Sequence, residues 1–118
     1  MSWPIQLHDD LEREFAELPE SVQDELLAVT GLLREFGPKL GRPHADTLND
    51  SEHANMKELR FKADGGVWRV TYAFDPRRVA ILLVTGDKSG VSEKRFYKQL
   101  IAKSDERYNE HLKRLQEK

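Results

Sequence analysis

From Met56 to Lys88 the chain reads MKELRFKADGGVWRVTYAFDPRRVAILLVTGDK, and apolar positions alternate there with cationic ones. Alternation with a period of two is typical of β-strands, because successive side chains point to opposite faces of a sheet. This stretch therefore predicts a sheet with one buried face and one charged face.

The stretch divides into three strands joined by two turns. The segment 63–66 (ADGG) supplies the positive-φ residues that a tight hairpin needs. The segment 75–78 (DPRR) is typical of a second turn. The next run, 79–84, is apolar without interruption, as in a central strand covered on both faces. We expect a three-stranded antiparallel meander from which Lys88 emerges.

Charge is distributed unevenly along the chain, although its net value is only −2. Residues 57–98 hold ten Lys and Arg against five Asp and Glu, a net charge of +5. Residues 1–36 hold two against nine, a net charge of −7. A charged sheet face is most often only the solvated face. The segregation nevertheless favours a sheet half that attracts phosphates and a helical half that does not.

Length and composition limit the class of protein. The 118 residues fit a single domain covering 1–118. The chain has no cysteine, which excludes disulfides and thiolate metal sites. It has neither the ~18–20-residue apolar run of a membrane span nor a basic-then-apolar leader at its N-terminus. We expect a soluble, cytoplasmic protein that does not bind membranes.

Helical periodicity precedes the basic stretch. Residues 3–7 are short and alternating, which predicts a first strand. Leu11, Phe15 and Leu18 form one apolar stripe, and Asp9 or Asp10 would cap that helix. A second helix carries Val22, Leu26, Val29, Leu33 and Phe36 and ends at Gly37-Pro38. These two helices form a hairpin that we expect to cover the apolar face of the sheet.

A loop and a long helix complete the chain. Residues 37–55 are rich in Gly, Pro, Asn and Asp and predict a long loop. It contains His44 and His53, which have no ligand partner at metal spacing and are expected to be surface histidines. The last helix begins near Ser92 and brings Lys94, Arg95 and Tyr97 close to the end of the Lys88 strand. The predicted fold class is α+β.

The segments KELRFKADGGVWRVTYAF, DPRRVAILLVTGDK and FYKQLIAKSDERYNEHL, in this order, resemble the RelE/ParE toxin superfamily, in particular its HigB-like, phage-derived branch. The resemblance implies a RelE-like fold of N-terminal strand, two-helix hairpin, three-stranded meander and C-terminal helix. It also implies a type II toxin that binds the ribosome and cleaves mRNA without metal or cofactor. A helix-turn-helix antitoxin from the same operon would neutralise it.

The resemblance also selects residues. The strand arginine after the hairpin matches Arg69, the basic residue closing the last strand matches Lys88, and the arginine of the LR pair matches Arg60. The C-terminal tyrosine of the family pattern matches Tyr97. Relatives place a lysine where this chain has Glu58, so the resemblance does not carry over a lysine general base, although some relatives use a carboxylate in that role. The remaining basic candidates for RNA binding are Lys57, Lys62, Lys94 and Arg95.

Metal-free RNA cleavage uses the ribose 2′-hydroxyl as nucleophile and needs proton transfer and charge stabilisation at phosphorus. Arg69 would clamp the scissile phosphate with Arg60 and Lys88, and Glu58 or Tyr97 would move protons. A clamp can be removed without unfolding, so Arg69→Ala is expected to keep its melting temperature. Glu58 could instead form an ion pair with Arg60 or Arg69. A ParE-like gyrase inhibitor and an inactive co-repressor that only binds antitoxin are the alternative functions.

Overall fold

The computed structural model describes residues 2–117 and shows a five-stranded sheet between two layers of helix. The strands are β1 (Ile5–Leu7), β2 (Ala45–Thr47), β3 (Lys57–Ala63), β4 (Gly66–Phe74) and β5 (Ala80–Asp87). The helices are α1 (Asp9–Phe15), α2 (Glu20–Phe36) and α3 (Glu93–Gln116), with a short 3₁₀ turn at Gly37–Lys39. The predicted α+β class and the meander of β3, β4 and β5 are confirmed.

The sheet has the order β1-β5-β4-β3-β2. Strand β1 runs parallel to β5, and every other neighbouring pair is antiparallel. Strand β2, within the predicted loop 37–55, adds a fifth strand on the β3 edge, where Ala45 pairs with Leu59. At the β3–β4 hairpin both Asp64 and Gly65 have positive φ, as the ADGG segment predicted.

Each face of the sheet buries one apolar layer. Helices α1 and α2 pack Leu11, Leu26 and Leu33 against Leu59 and Tyr72, as predicted. Helix α3 packs Phe96, Leu100 and Tyr108 against Met56, Ala73 and Leu83 on the other face. The expectation of an open charged face is therefore wrong for much of the sheet, because the apolar stripe of α3 covers it.

The predicted start of α3 is confirmed, and the predicted cap of α1 is wrong. Ser92 begins α3, and its side chain accepts a hydrogen bond from the Arg95 N–H. The cap of α1 is His8 rather than Asp9 or Asp10, because its Nδ1 accepts a hydrogen bond from the Asp10 N–H. Imidazole lies outside the usual set of capping side chains.

Polar contacts anchor the C-terminal half of α3. Arg107 donates to both carboxylate oxygens of Glu14 on α1 and to the carbonyl of Leu83 on β5. His111 Nε2 lies 2.9 Å from an oxygen of Asp75, the buried carboxylate of the β4–β5 turn. These contacts fix the direction of α3, and therefore the position of its first half above the sheet.

Beneath α3, the pairing of β4 with β5 is interrupted. Leu83 and Val84 of β5 both lie across from Thr71 of β4, which is a β-bulge. The Thr71 hydroxyl accepts a hydrogen bond from the Val84 N–H and lies 2.7 Å from the Ser104 hydroxyl of α3. Bulges re-aim the side chains that follow them.

Among residues 2–117, no helix combines the length and the apolar character that crossing a membrane requires.

Candidate active site

A groove of about 670 Å³ lies between the first half of α3 and the side of the sheet formed by β2 and β3. Its buried end is formed by Glu58 of β3 and Tyr97 of α3. Exposed basic side chains of Arg60, Lys94 and Lys98 line the rest of it. The groove therefore joins a solvated cationic surface to a carboxylate and a phenol.

The Tyr97 hydroxyl lies at the centre of the buried end. It donates to the Glu58 carboxylate, with 2.9 Å to Oε1 and 3.1 Å to Oε2. It accepts a hydrogen bond from Arg69 Nε at 2.6 Å. Arg69 Nε also lies 3.5 Å from Glu58 Oε1. A cation, a neutral hydroxyl and an anion are thus in mutual contact.

This environment keeps the proton on Tyr97. Burial raises the pKa of the Tyr97 hydroxyl above its usual 10.0, and the hydrogen bond to the Glu58 carboxylate raises it further. The guanidinium of Arg69 acts in the opposite direction on this pKa but does not reverse the shift. At neutral pH Tyr97 is therefore a proton donor rather than a base.

Arg69 is enclosed by α3. Arg69 is only 6% exposed, and its guanidinium carbon lies 5.5 Å from the ring centroids of Phe96 and Tyr97. Its Nη1 donates to the carbonyl of Val67. Because of the bulge, Gly86 pairs with Arg69 and leaves the space beside it to Phe96. Arg69 thus contacts Tyr97 directly and has little surface to offer a phosphate.

Of the two arginines that contact Glu58, Arg60 is the one that remains accessible to solvent. Its Nη2 lies 3.2 Å from Glu58 Oε2 and 3.9 Å from Asp46 Oδ2. Asp46 also binds Arg42 Nε at 3.1 Å. The backbone N–H of Thr47, with the nearby guanidinium of Arg42, lowers the pKa of Asp46, so this carboxylate is ionised and orients both arginines.

Two lysines of α3 reach the groove. Lys94 and Lys98 are four residues apart and therefore lie on one side of the helix, where both line the groove. Arg95, the next residue after Lys94, is exposed but does not line it. The i, i+4 spacing from Lys94 was the signal that could have identified Lys98.

The other predicted basic residues lie elsewhere. Lys88 is partly exposed outside the groove, with its Nζ 3.9 Å from Glu93. Lys62 pairs with Val67 and shares the face of Arg60, near the hairpin. Lys57 pairs with Tyr72, which packs against α1 and α2. Lys57 is therefore on the face opposite to that of Arg60, where its Nζ contacts the carbonyl of Pro38.

Two clusters of described residues bring histidine and carboxylate ligand atoms within 4.8 Å of one another: His8 with Asp10 and Glu110, and His53 with Glu52 and Asp105. His8 bonds Glu110 through Nε2 and the Asp10 N–H through Nδ1. His53 Nε2 bonds Asn109 Oδ1. Hydrogen bonds that attach α1 and the segment 51–53 to α3 account for both clusters.

Comparison with known proteins gives a family. The model of the family described as "Phage derived protein Gp49-like" matches residues 13–109. A Mycobacterium tuberculosis protein named as a toxin, HigB3, is 49% identical over an alignment of 88 residues that covers 72% of this chain and 75% of HigB3. HigB2 of the same organism, also named as a toxin, is 42% identical over 103 residues. That match covers 86% of this chain and 47% of HigB2.

Solved structures show the same fold. A free mutant of the Escherichia coli toxin RelE superposes with a TM-score of 0.64 at 13% identity, covering 91% of this chain and 98% of RelE. A chain of the archaeal RelE–RelB complex from Pyrococcus horikoshii superposes with a TM-score of 0.55 at 18% identity, covering 77% of this chain and 100% of that one. The fold is thus that of the RelE toxins. The chain belongs to the Gp49-like, phage-derived family, and its HigB relatives confirm the HigB-like resemblance.

Proposed function

We propose that this toxin is a metal-free endoribonuclease that cleaves mRNA on the ribosome. The observation that supports it best is the contact of Arg69, Tyr97 and Glu58 at the buried end of a groove lined by basic side chains. Protonation of a leaving group requires a proton donor within reach, and the Tyr97 hydroxyl, beside a guanidinium that can stabilise its phenolate, can supply that proton.

In the proposed reaction the ribose 2′-hydroxyl attacks phosphorus and the bond from phosphorus to the 5′-oxygen breaks. Tyr97 gives its proton to the departing 5′-oxygen. Arg69 Nε, 2.6 Å from the hydroxyl, stabilises the phenolate that forms. Arg69 is therefore a positioning residue for Tyr97 in this proposal, rather than the phosphate clamp expected from the sequence.

Glu58 and Tyr97 act as one proton-transfer unit. The attacking and leaving oxygens of an in-line displacement lie on opposite sides of phosphorus. Two groups hydrogen-bonded to each other at 2.9 Å cannot serve both sides at once. After the reaction a proton from solvent water, relayed through the Glu58 carboxylate, restores the Tyr97 hydroxyl, and water or a group of the ribosome accepts the 2′-hydroxyl proton. This requirement gives a chemical reason for dependence on the ribosome.

The exposed cations hold the message. Arg60, fixed between two carboxylates, is placed to contact the scissile phosphate beside Tyr97. Lys94 and Lys98 follow on the opposite wall and would bind neighbouring phosphates. The partners in this proposal are mRNA, the ribosome and an antitoxin from the same operon, and activity on translating ribosomes places the protein in the cytoplasm.

The test is to incubate the purified protein with ribosomes programmed with an end-labelled message and to map the cut ends. Cleavage that leaves a 2′,3′-cyclic phosphate, and that is absent without ribosomes, is the expected result. An intact message together with loss of gyrase supercoiling would establish the ParE-like alternative. An intact message and unaffected growth of expressing cells would establish the co-repressor alternative.

A further inference from the structure

The outer surface of α1 and α2 carries acidic charge that the fold does not neutralise. Among residues 2–117, no basic side chain lies within 4.0 Å of six exposed carboxylates: Glu12, Glu17, Glu20, Asp24, Glu25 and Glu35. The acids of α1 that face α3 are paired instead, Asp9 with Arg114 and Glu14 with Arg107. Local structure therefore does not explain the exposed set.

An apolar site lies within this acidic surface. Leu27 is 57% exposed, and it lies on the outer side of α2, one turn after Asp24. One turn further on is Gly31, where a Cβ would have no atom within 4 Å. A partner backbone can therefore approach α2 closely beside Leu27. Single exposed leucines are ordinary, but Leu27 lies beside an open glycine and on the same side of α2 as the unpaired Asp24 and Glu20, one and two turns before it. This combination has the features of a docking site.

We propose that the outer face of α2, centred on Leu27, binds the antitoxin through a basic amphipathic segment. This inference rests on the proposed function, because it takes the antitoxin as the occupant. An apolar side chain of the segment packs on Leu27 over Gly31, and its Lys and Arg residues meet the carboxylates of Glu20 and Asp24. The cationic groove on the other side of the sheet repels such a segment, so the two surfaces select partners of opposite charge.

The experiment measures binding of the purified protein encoded by the neighbouring antitoxin reading frame, by calorimetry at two salt concentrations. Leu27→Ser removes the apolar contact, and Asp24→Lys reverses one charge beside it. Both residues are exposed, so the two variants should unfold within about 0.5 kcal/mol of wild type. We expect Leu27→Ser to weaken binding about tenfold or more. Asp24→Lys should weaken binding and reduce its salt dependence.

Two control variants separate this surface from others. Glu106→Lys makes the same change of charge on an exposed part of α3, and Lys98→Glu reverses a charge in the groove. Both should bind antitoxin as wild type does.

Three results would overturn the docking proposal. Wild-type affinity of both Leu27→Ser and Asp24→Lys would exclude this surface and leave the proposed function standing. Loss of binding in Lys98→Glu alone would place the antitoxin on the groove instead. Failure of the neighbouring protein to bind the wild type would remove the antitoxin as partner, whereas the nuclease proposal is judged separately by the cleavage assay.

Discussion

Tyr97 and Glu58, 39 residues apart in the chain, meet through a 2.9 Å hydrogen bond from the phenol to the carboxylate. One residue is on α3 and the other on β3. The bond therefore depends on how α3 lies on the sheet, which the anchors of Arg107 and His111 determine. Helix α3 both buries the charged centre of the site and supplies its proton donor.

Arg69→Ala is expected to destabilise the protein. Arg69 is 6% exposed and contacts Glu58, which is 2% exposed, so the substitution weakens a buried ion pair. Breaking such a pair typically costs about 3–5 kcal/mol, and we expect the lower part of this range because Arg60 still contacts Glu58. This expectation replaces that of an unchanged melting temperature. Urea denaturation measures the change in the free energy of unfolding.

The combined variant Arg69→Met with Glu58→Gln is the control for Arg69→Ala. It removes both charges, so it should lower the free energy of unfolding by less than the sum of the decreases caused by the two single substitutions. A urea midpoint of unfolding for Arg69→Ala equal to that of wild type would show that the buried ion pair does not stabilise the fold.

The pKa of Tyr97 is predicted to lie above 10.0 in the folded protein, because burial and the Glu58 carboxylate disfavour the phenolate. A raised folded pKa contributes stability that is fully present below the unfolded value. That stability is lost as pH rises through the folded value. Subtracting the alkaline absorbance titration of Tyr97→Phe from that of wild type isolates this hydroxyl from Tyr72 and Tyr108. A difference curve centred below pH 10 would contradict the prediction.

Binding of single-stranded RNA should depend on salt through the groove lysines. For each phosphate that a variant no longer neutralises, the slope of log affinity against log salt should fall in magnitude by about 0.7. We expect this change in Lys94→Ala and in Lys98→Ala, since both line the groove. Lys113→Ala, exposed near the other end of α3, should keep the wild-type slope. Identical slopes in all three variants would exclude the groove as the RNA surface.

Local patterns predicted the elements of this fold well. The alternation of 56–88 predicted β3 and β4, and the ADGG segment predicted the positive φ of Asp64 and Gly65. The last helix was predicted to begin near Ser92 because apolar residues recur at helical spacing after it, and Ser92 is the cap of α3. Strand β2 was missed because its three residues lie in a segment otherwise rich in loop-forming residues.

The sequence could not show how these elements pack against one another. Periodicity identified the apolar stripe of α3, but not that this stripe lies across the charged face and encloses Arg69. The bulge that places Gly86 opposite Arg69 likewise has no signature in an uninterrupted apolar run. Lys57 was assigned to the RNA surface through its charge, although alternation with Leu59 already places it on the opposite face.

Cleavage of a ribosome-bound message by Tyr97→Phe is the most direct test of the proposed mechanism. The substitution removes only the hydroxyl that joins Arg69 to Glu58, and loss of a general acid lowers rates by about 10²–10⁴. Tyr108→Phe is the matched control. Tyr108 lies on the same helix as Tyr97, and its hydroxyl donates a hydrogen bond to the carbonyl of Phe74 on β4. The proposal predicts that Tyr97→Phe remains folded and loses cleavage by this factor while Tyr108→Phe retains it. A folded Tyr97→Phe protein that cleaves at the wild-type rate would contradict it.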